Sequence, residues 1–288
     1  MTAPRPRIDL HAHSTASDGT ESPAGLVAAA AAAGLDVVAI TDHDTTHGWA
    51  EAADAVATTG VALVRGIEIS CGRRGTSVHL LGYLTDPAAA GLSAELALSR
   101  DSRVGRLRRI VERMAAAGID LTYDEVLAAV PPGATPGRPH IADALVRKGI
   151  VAHRDEAFAE WLANDSPFYV GHHAPDPVDA VRLVVEAGGV AVHAHPFTGK
   201  PGRQVPEALV EEMAAAGLGG LEAHHRDHDD DAVRRALALA ADLDLLVTGS
   251  SDWHGSGKRN LLGENTTRPE VLAEIERRSS GTTPVLRP

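Results

Sequence analysis

The sequence predicts an α/β fold, a β barrel covered by helices, with a helical segment inserted near its middle. Three observations carry this expectation. Helical stretches alternate with short apolar strands, with a glycine between the two in most cases, a pattern that builds parallel β-structure. Strand after strand runs into a cluster of His, Asp and Glu at its carboxyl end, where an α/β barrel carries its active site. Between residues 98 and 170 the alternation stops and only helical periodicity remains.

The first strand leads into "LHAH", residues 10–13. A strand alternates its faces, so His11 and His13 point the same way and Ala12 the other. Such a pair is either half of a metal site or two buried polar side chains, and the other strand ends decide between them. In "SPAGLVAAAAAAGLDVVAITDHD", Ser22 can cap a helix, Pro23 takes its first position and Gly34 closes it. The strand that follows delivers Thr41, Asp42, His43 and Asp44. "TTGVALVRGIEIS" reaches Glu68, and "DPVDAVRLVVEAGGVAVHAHP" begins at Asp176 and Pro177 and ends at His193 and His195. "ALVEEMAAAGLGGLEAHH" ends at Glu222, His224 and His225, and "LALAADLDLLVTGSSDWH" ends at Asp252 and His254.

The segment between reads as "SRDSRVGRLRRIVERMAAAGI", "TYDEVLAAV", "GRPHIADALVRKGI" and "HRDEAFAEWLAN". The expected organisation is therefore a barrel domain, residues 1–97 and 171–288, carrying a helical insertion domain, residues 98–170, over the barrel mouth. Arg100, Arg103, Arg106, Arg109 and Arg113 fall at helical spacing. They form either a solvated face or the wall of a groove for a polyanion.

With 288 residues the chain suits one large α/β domain or one domain with an insertion. Its net charge of -12 argues against non-specific coating of nucleic acid. It leaves room for a phosphate site, because bound cations cancel acidity locally. Cys71 is the single cysteine, so an intrachain disulfide and a thiolate zinc site are both excluded. No leader pattern precedes Asp9 and no apolar run approaches the roughly 18 residues of a membrane span. The expectation is a cytoplasmic protein with no membrane contact and no obligate protein partner.

The strand ends and the residues around them collect nine candidate metal ligands: His11, His13, Asp18, His43, Glu68, His79, His195, Asp252 and His254. Nitrogen and oxygen donors without thiolate suit divalent manganese, zinc or iron. Nine side chains are too many for one ion and suit three, with a carboxylate bridging two. Such a cluster activates water and neutralises charge growing on phosphoryl oxygens.

"HAHSTASDG", "TDHD", "GIEIS", "VHLLGY", "HAHP" and "GSSDWHG" together resemble the PHP (polymerase and histidinol phosphatase) family of trinuclear metal phosphoesterases, over nearly the whole chain. "GRPHIADAL" resembles the branch of that family acting on nucleoside 3′,5′-bisphosphates and short RNA ends. The resemblance implies a distorted seven-stranded (β/α) barrel with the helical insertion over its C-terminal mouth. It implies that His11, His13, Glu68 and Asp252 hold one ion. Glu68 then bridges to a second ion with His79 and His195, and Asp18, His43 and His254 hold a third. Manganese is the first expectation for the metal, with zinc, iron or magnesium as substitutes. The same resemblance implies that Arg138, His140 and His225 face the substrate phosphate. Two departures from the family pattern stand out. After "HP" the chain reads "FTGK", and Phe197 cannot bind phosphate, so the expected arginine contact is lost unless Lys200 or Arg203 replaces it. His193 stands where relatives carry an aliphatic residue, which leaves His193 and His195 as rival ligands, with the following proline favouring His195.

The expected activity is hydrolysis of a nucleotide phosphomonoester, above all of a nucleoside 3′,5′-bisphosphate, by a metal-bridging hydroxide. Arg138 would stabilise the developing charge and His225 would serve as the acid. The alternatives are a 5′-3′ exoribonuclease on short single-stranded RNA, a histidinol phosphatase, and a metal-bound regulatory module without catalysis. An amidohydrolase would want a lysine at a later strand end, and a P-loop in "GSGK" fails because Arg259 follows Lys258.

Overall fold

The computed structural model describes residues 5–199 and 205–288. Seven strands form one sheet in chain order: β1 (Ile8–Asp9), β2 (Val37–Ile40), β3 (Ala62–Arg73), β4 (Thr76–Tyr83), β5 (Val190–His193), β6 (Gly220–His224) and β7 (Leu246–Gly249). The edges approach each other through a parallel bridge between Ala12 and Trp253, so the sheet curls into a nearly closed barrel. The helices are α1 (Pro23–Ala32), α2 (Trp49–Asp54), α3 (Val56–Thr59), α4 (Ala90–Ala116), α5 (Tyr123–Leu127), α6 (Arg138–Arg147), α7 (Arg154–Ala157), α8 (Pro177–Glu186), α9 (Glu207–Ala215), α10 (Asp230–Asp242) and α11 (Pro269–Arg278). A short π-helix, Phe158–Leu162, continues α7. No helix among the described residues is long and apolar enough to cross a membrane.

Local chemistry explains the alternation. Ser22 and Asp176 accept backbone N–H groups at the starts of α1 and α8, each followed by a proline at the first helical position. The strands bury both faces, which is why they read as unbroken apolar runs. In β2, Val37 and Ala39 pack in a cluster with Leu272 and Ile275 of α11, whereas Val38 and Ile40 pack in the cluster beneath α1, α8, α9 and α10.

One strand departs from the parallel arrangement. β4 is antiparallel to both β3 and β5. Arg73 pairs with Thr76, which leaves a two-residue turn, Arg74-Gly75, with φ of 50° and 84°. Positive φ at both positions is the hairpin geometry that matches strand twist, and glycine takes its half without steric cost. The reversal brings the N-terminal half of β4, and with it His79, to the side where its neighbours end.

The segment after β4 has a small core of its own, built from Leu107, Ile110, Val111 and Met114 of α4 with Val126, Ile141, Leu145 and Leu162. Helix α4 spans both units, because Leu92 and Leu96 in its first turns pack in the barrel cluster. The segment is tied to the barrel mouth by polar contacts. Thr135 N donates to Ala16 O, Arg154 Nη1 to Asp18 O at 2.9 Å, and Arg100 Nη1 to Asp44 O at 2.6 Å. The arginine row is therefore not a uniformly solvated face. Arg103 and Arg106 are buried towards the mouth, and Arg109 and Arg113 stay exposed.

Leu107 is completely buried in the small core. Leu107→Ala should lower stability by about 2–5 kcal/mol through lost burial and a residual cavity. Urea unfolding of the variant measures the loss, and a cost below about 1 kcal/mol would mean that this core relaxes freely.

Candidate metal centre

The centre is assembled around Glu68 of β3, which is 1% exposed. Its Oε2 lies 3.2 Å from His11 Nε2, 3.0 Å from His13 Nε2 and 3.3 Å from His43 Nδ1. Its Oε1 lies 2.5 Å from His79 Nδ1 and 3.3 Å from His195 Nε2. One carboxylate thus presents each oxygen to a separate set of imidazoles. Asp252 Oδ1 stands 3.5 Å from His11 Nε2 and 3.3 Å from His13 Nε2. Asp18 Oδ1 stands 3.3 Å from His254 Nε2, with its Oδ2 3.9 Å from His43 Nε2.

All nine residues singled out as ligands therefore lie in one connected cluster. Ligand atoms of His11, His13, Glu68 and Asp252 lie within 4.8 Å of one another, as do those of His13, Asp18, His43 and His254. His79 groups with Glu68 and His43, and His195 groups with His11 and Glu222. His195 lies in the cluster, whereas His193 is buried on β5 with Nδ1 unbonded and belongs to none of these groups.

The donor set fits divalent cations. His11 Nε2 and His13 Nε2 face each other at 3.1 Å, an arrangement suited to two lone pairs directed at one ion. Burial alone would raise the carboxyl groups, but His43, His79 and His11 hold Glu68 well below the usual carboxylate range. His254 and His43 do the same for Asp18, and Lys258, His254 and His11 for Asp252. Burial lowers His195 to about 3 and His254 to about 4, so both stay neutral and keep a lone pair to offer. Against the same burial, Asp252 and Glu68 raise His13 to about 9, and Glu68, Glu222 and Asp252 raise His11. A cation and a proton compete for those two rings.

Buried acids hold the loops that carry these groups. Asp42 accepts from Ser14 N at 2.8 Å and Ser17 Oγ at 2.7 Å, fixing the turn between His13 and Asp18. Asp9 accepts from Ser251 N at 3.0 Å and Gly263 N at 2.8 Å, joining β1 to the loop of Asp252. Asp44, His195 and Asp252 all have left-handed backbones, with φ of 54°, 31° and 53°. Non-glycine residues adopt this geometry at a cost, and it clusters at functional sites.

The residues expected to face substrate are placed differently from one another. His225 is buried, with Asp227 N donating to its Nδ1 at 3.0 Å; the proton therefore sits on Nε2, 3.6 Å from Asp252 Oδ2 and without a hydrogen-bond partner. Arg138 Nη1 donates to Leu162 O and to Asn164 Oδ1 at 2.9 Å. His140 accepts from Gly137 N at 3.1 Å, so its Nδ1 caps α6 and is not free for a ligand. Lys200 and Arg203 lie outside the described residues. Phe197 is buried under the Arg235 guanidinium, 4.2 Å from its ring centre.

Glu222 was visible at a strand end but had no assigned role. Its Oε1 lies 3.1 Å from His11 Nδ1 and also takes the Ser250 hydroxyl, and its Oε2 accepts His195 N at 2.9 Å. The carboxylate thereby holds the His11 proton on Nδ1 and turns Nε2 inward as a ligand. It also pins the strained backbone of His195. The signal was its place at the end of β6; side-chain alternation alone would mislead, because a register irregularity between Glu222 and His224 leaves His224 exposed while Glu222 and His225 are both buried. Glu222→Gln should weaken metal binding by about 10–100-fold with little change in secondary structure. Metal titration with circular dichroism of the same samples tests this, and wild-type affinity would remove Glu222 from the centre.

Residues 9–124 match the model of the PHP domain. The chain is 36% identical over 273 residues to a 3′,5′-nucleoside bisphosphate phosphatase of Chromobacterium violaceum, covering 94% of this chain and 95% of that one. It is 34% identical to a 5′-3′ exoribonuclease of Haemophilus influenzae, covering 90% and 94% of the two chains. Among solved structures it is similar to a Bifidobacterium adolescentis protein assigned by inference as a metal-dependent phosphoesterase. That likeness has a TM-score of 0.92 and 42% identity over 96% of this chain and 97% of that one. These likenesses show the family: the chain belongs to the PHP family of metal-dependent phosphoesterases.

Proposed function

We propose that the protein hydrolyses a phosphomonoester of a nucleoside 3′,5′-bisphosphate, with two separate places for the two phosphates. The observation that carries this reading is an arginine cluster with too little negative charge around it. Arg106 is 4% exposed, donates Nε to Val170 O at 2.7 Å, and has no carboxylate partner among the described residues. Burial, with Arg138 and Arg103 close by, lowers it to about 9. Burial and the same three arginines push His172 down to about 2, and its Nε2 has no hydrogen-bond partner. A buried positive potential of this kind suits a phosphate dianion. Arg103 also bonds Asp44, next to His43, so the cluster adjoins the metal centre.

In this reading residues 1–97 and 171–288 are the catalytic barrel and 98–170 an insertion that closes over substrate. Three divalent ions, manganese first, would be held by His11, His13, Glu68 and Asp252, by Glu68, His79 and His195, and by Asp18, His43 and His254. Such ions supply an activated water and neutralise phosphoryl oxygens. The chain's own groups do the rest. Arg138 and Arg106 bind and orient the phosphate that is not cleaved. His225 directs its Nε2–H at the leaving oxygen and stabilises the charge developing there by a hydrogen bond. A nucleotide substrate accords with the cytoplasmic residence expected from the sequence.

A second reading, trimming of short single-stranded RNA, draws on Tyr169. The ring is 37% exposed and lies 5.3 Å from the Arg106 guanidinium and 5.7 Å from that of Arg138. It offers the stacking surface that the arginine-bearing helix itself lacks.

With matched manganese and salt, adenosine 3′,5′-bisphosphate should be cleaved with a kcat/KM at least about tenfold above that of adenosine 5′-monophosphate. Arg138→Ala should lower that kcat/KM by about 10–100-fold with metal content intact. Faster degradation of 5′-phosphorylated RNA than of the bisphosphate would give the site to the second reading.

A further inference from the structure

The lysine of "GSGK" has no place in a phosphate loop, yet the fold carries it to the metal centre. Lys258 Nζ lies 2.7 Å from Asp252 Oδ2. The other oxygen of Asp252 is the one turned to His11 and His13. Lysine and imidazoles thus share one carboxylate from opposite sides. His225 Nε2 approaches the same outer oxygen, at 3.6 Å. The ammonium has three N–H donors, and Asp252 is its one hydrogen-bond acceptor among the described residues. The side chain is 40% exposed, and its remaining donors have no acceptor among the described residues.

The loop presenting Lys258 is packed. Ser256 N donates to Thr20 Oγ1 at 2.9 Å, Gly257 N to His254 O at 3.2 Å, and Asn260 Nδ2 to Ser251 O at 2.6 Å. A Cβ on Gly257 would lie 2.2 Å from Arg154 Nη1, and that guanidinium is itself fixed by Asp143 and Asp18 O. The position of Lys258 therefore follows from backbone packing on both barrel and insertion. The other described lysine, Lys148, pairs with Asp120 and Glu125 away from the centre.

Lys258 helps to hold the Asp252 carboxyl low, but that contact occupies one of its three N–H donors. A compact, strongly charged donor with two free N–H groups beside a phosphoester site has a further use. We propose that Lys258 is a catalytic residue whose ammonium holds a non-bridging oxygen of the phosphate being cleaved, opposite the His225 proton. The inference rests on the phosphoesterase activity and not on which nucleotide is preferred.

The test uses the full chain loaded with manganese, as Lys258→Met and Lys258→Arg. Metal content is measured by mass spectrometry and inorganic phosphate binding by calorimetry, alongside kcat/KM for p-nitrophenyl phosphate and adenosine 3′,5′-bisphosphate. The expected result for Lys258→Met is unchanged metal content, with phosphate affinity and kcat/KM for both substrates lowered by about 10–100-fold. Lys258→Arg should recover part of each loss, which also shows that the loop still folds. Wild-type phosphate affinity, or a change confined to metal content, would reduce Lys258 to a partner of Asp252 and overturn the proposal. A loss confined to the bisphosphate would also overturn it, by moving the contact to the other phosphate. If wild-type protein shows no bisphosphate preference but Lys258→Met still weakens inorganic phosphate, the substrate reading fails and this one stands.

Discussion

A fully buried carboxylate with imidazoles on both of its oxygens is the constraint around which this molecule is organised. Glu68 could not sit at 1% exposure without positive charge beside it, because an unpaired ionised carboxylate in such a place would cost several kcal/mol. The nearby histidines supply part of that charge when protonated and far more when they share metal ions. They come from four parts of the chain: His11 and His13 from just after β1, His43 after β2, His79 from β4, His195 after β5. The strands must therefore end in register around one point, and a curled sheet with its edges bridged at Ala12 and Trp253 does this. The long β3, whose Glu68 bonds through its backbone to Thr41 and Asp42, serves as the central post.

The supporting acids show the same logic one layer out. Asp9, Asp42 and Glu222 are buried and none of the three was assigned as a ligand; each gathers N–H or O–H donors from loops that would otherwise splay. Asp9 pays for this with a carboxyl pushed up to about 6 by burial, only partly offset by its backbone donors. Glu222 differs, since His11, His225 and His195 hold it low against burial. Strain accompanies these clasps: left-handed backbones at Asp44, His195 and Asp252 persist because the surrounding hydrogen bonds determine them. Stability has been exchanged for ligand placement.

Much of this was legible because single residues carried unambiguous local signals. Ser22-Pro23 and Asp176-Pro177 start helices for reasons confined to the first turn, and His-x-His on a strand has only one facing. What escaped depended on long-range geometry. The reversal of β4 hangs on the Arg74-Gly75 turn, whose pattern is weak without the familiar Asn or Asp before glycine. Helical spacing put five arginines in a row but could not say that Arg103 and Arg106 would turn inward against the barrel while Arg109 stayed outside. Nothing in the spacing of "GRPH" shows that His140 Nδ1 accepts from Gly137 N and caps its own helix. The "GSGK" motif likewise hides the role of Lys258, whose partner is Asp252 across a turn.

The charge distribution then explains how an acidic chain can accept a dianion. A net charge of -12 repels phosphate at long range, but screening limits that repulsion to roughly 8–10 Å at ordinary salt. Inside that distance only local groups matter, and the mouth concentrates positive ones. Arg103, Arg106 and Arg138 approach it from the insertion, and Lys258 from the barrel loop. The polar clasp between the two units, Arg154 to Asp18 O and Arg100 to Asp44 O, uses carbonyls of the ligand-bearing loops themselves. Arg103 bonds Asp44 as well, so the inward arginines and these loops share contacts. The 98–170 segment and the loops carrying Asp18 and His43 are therefore held together by the same polar contacts.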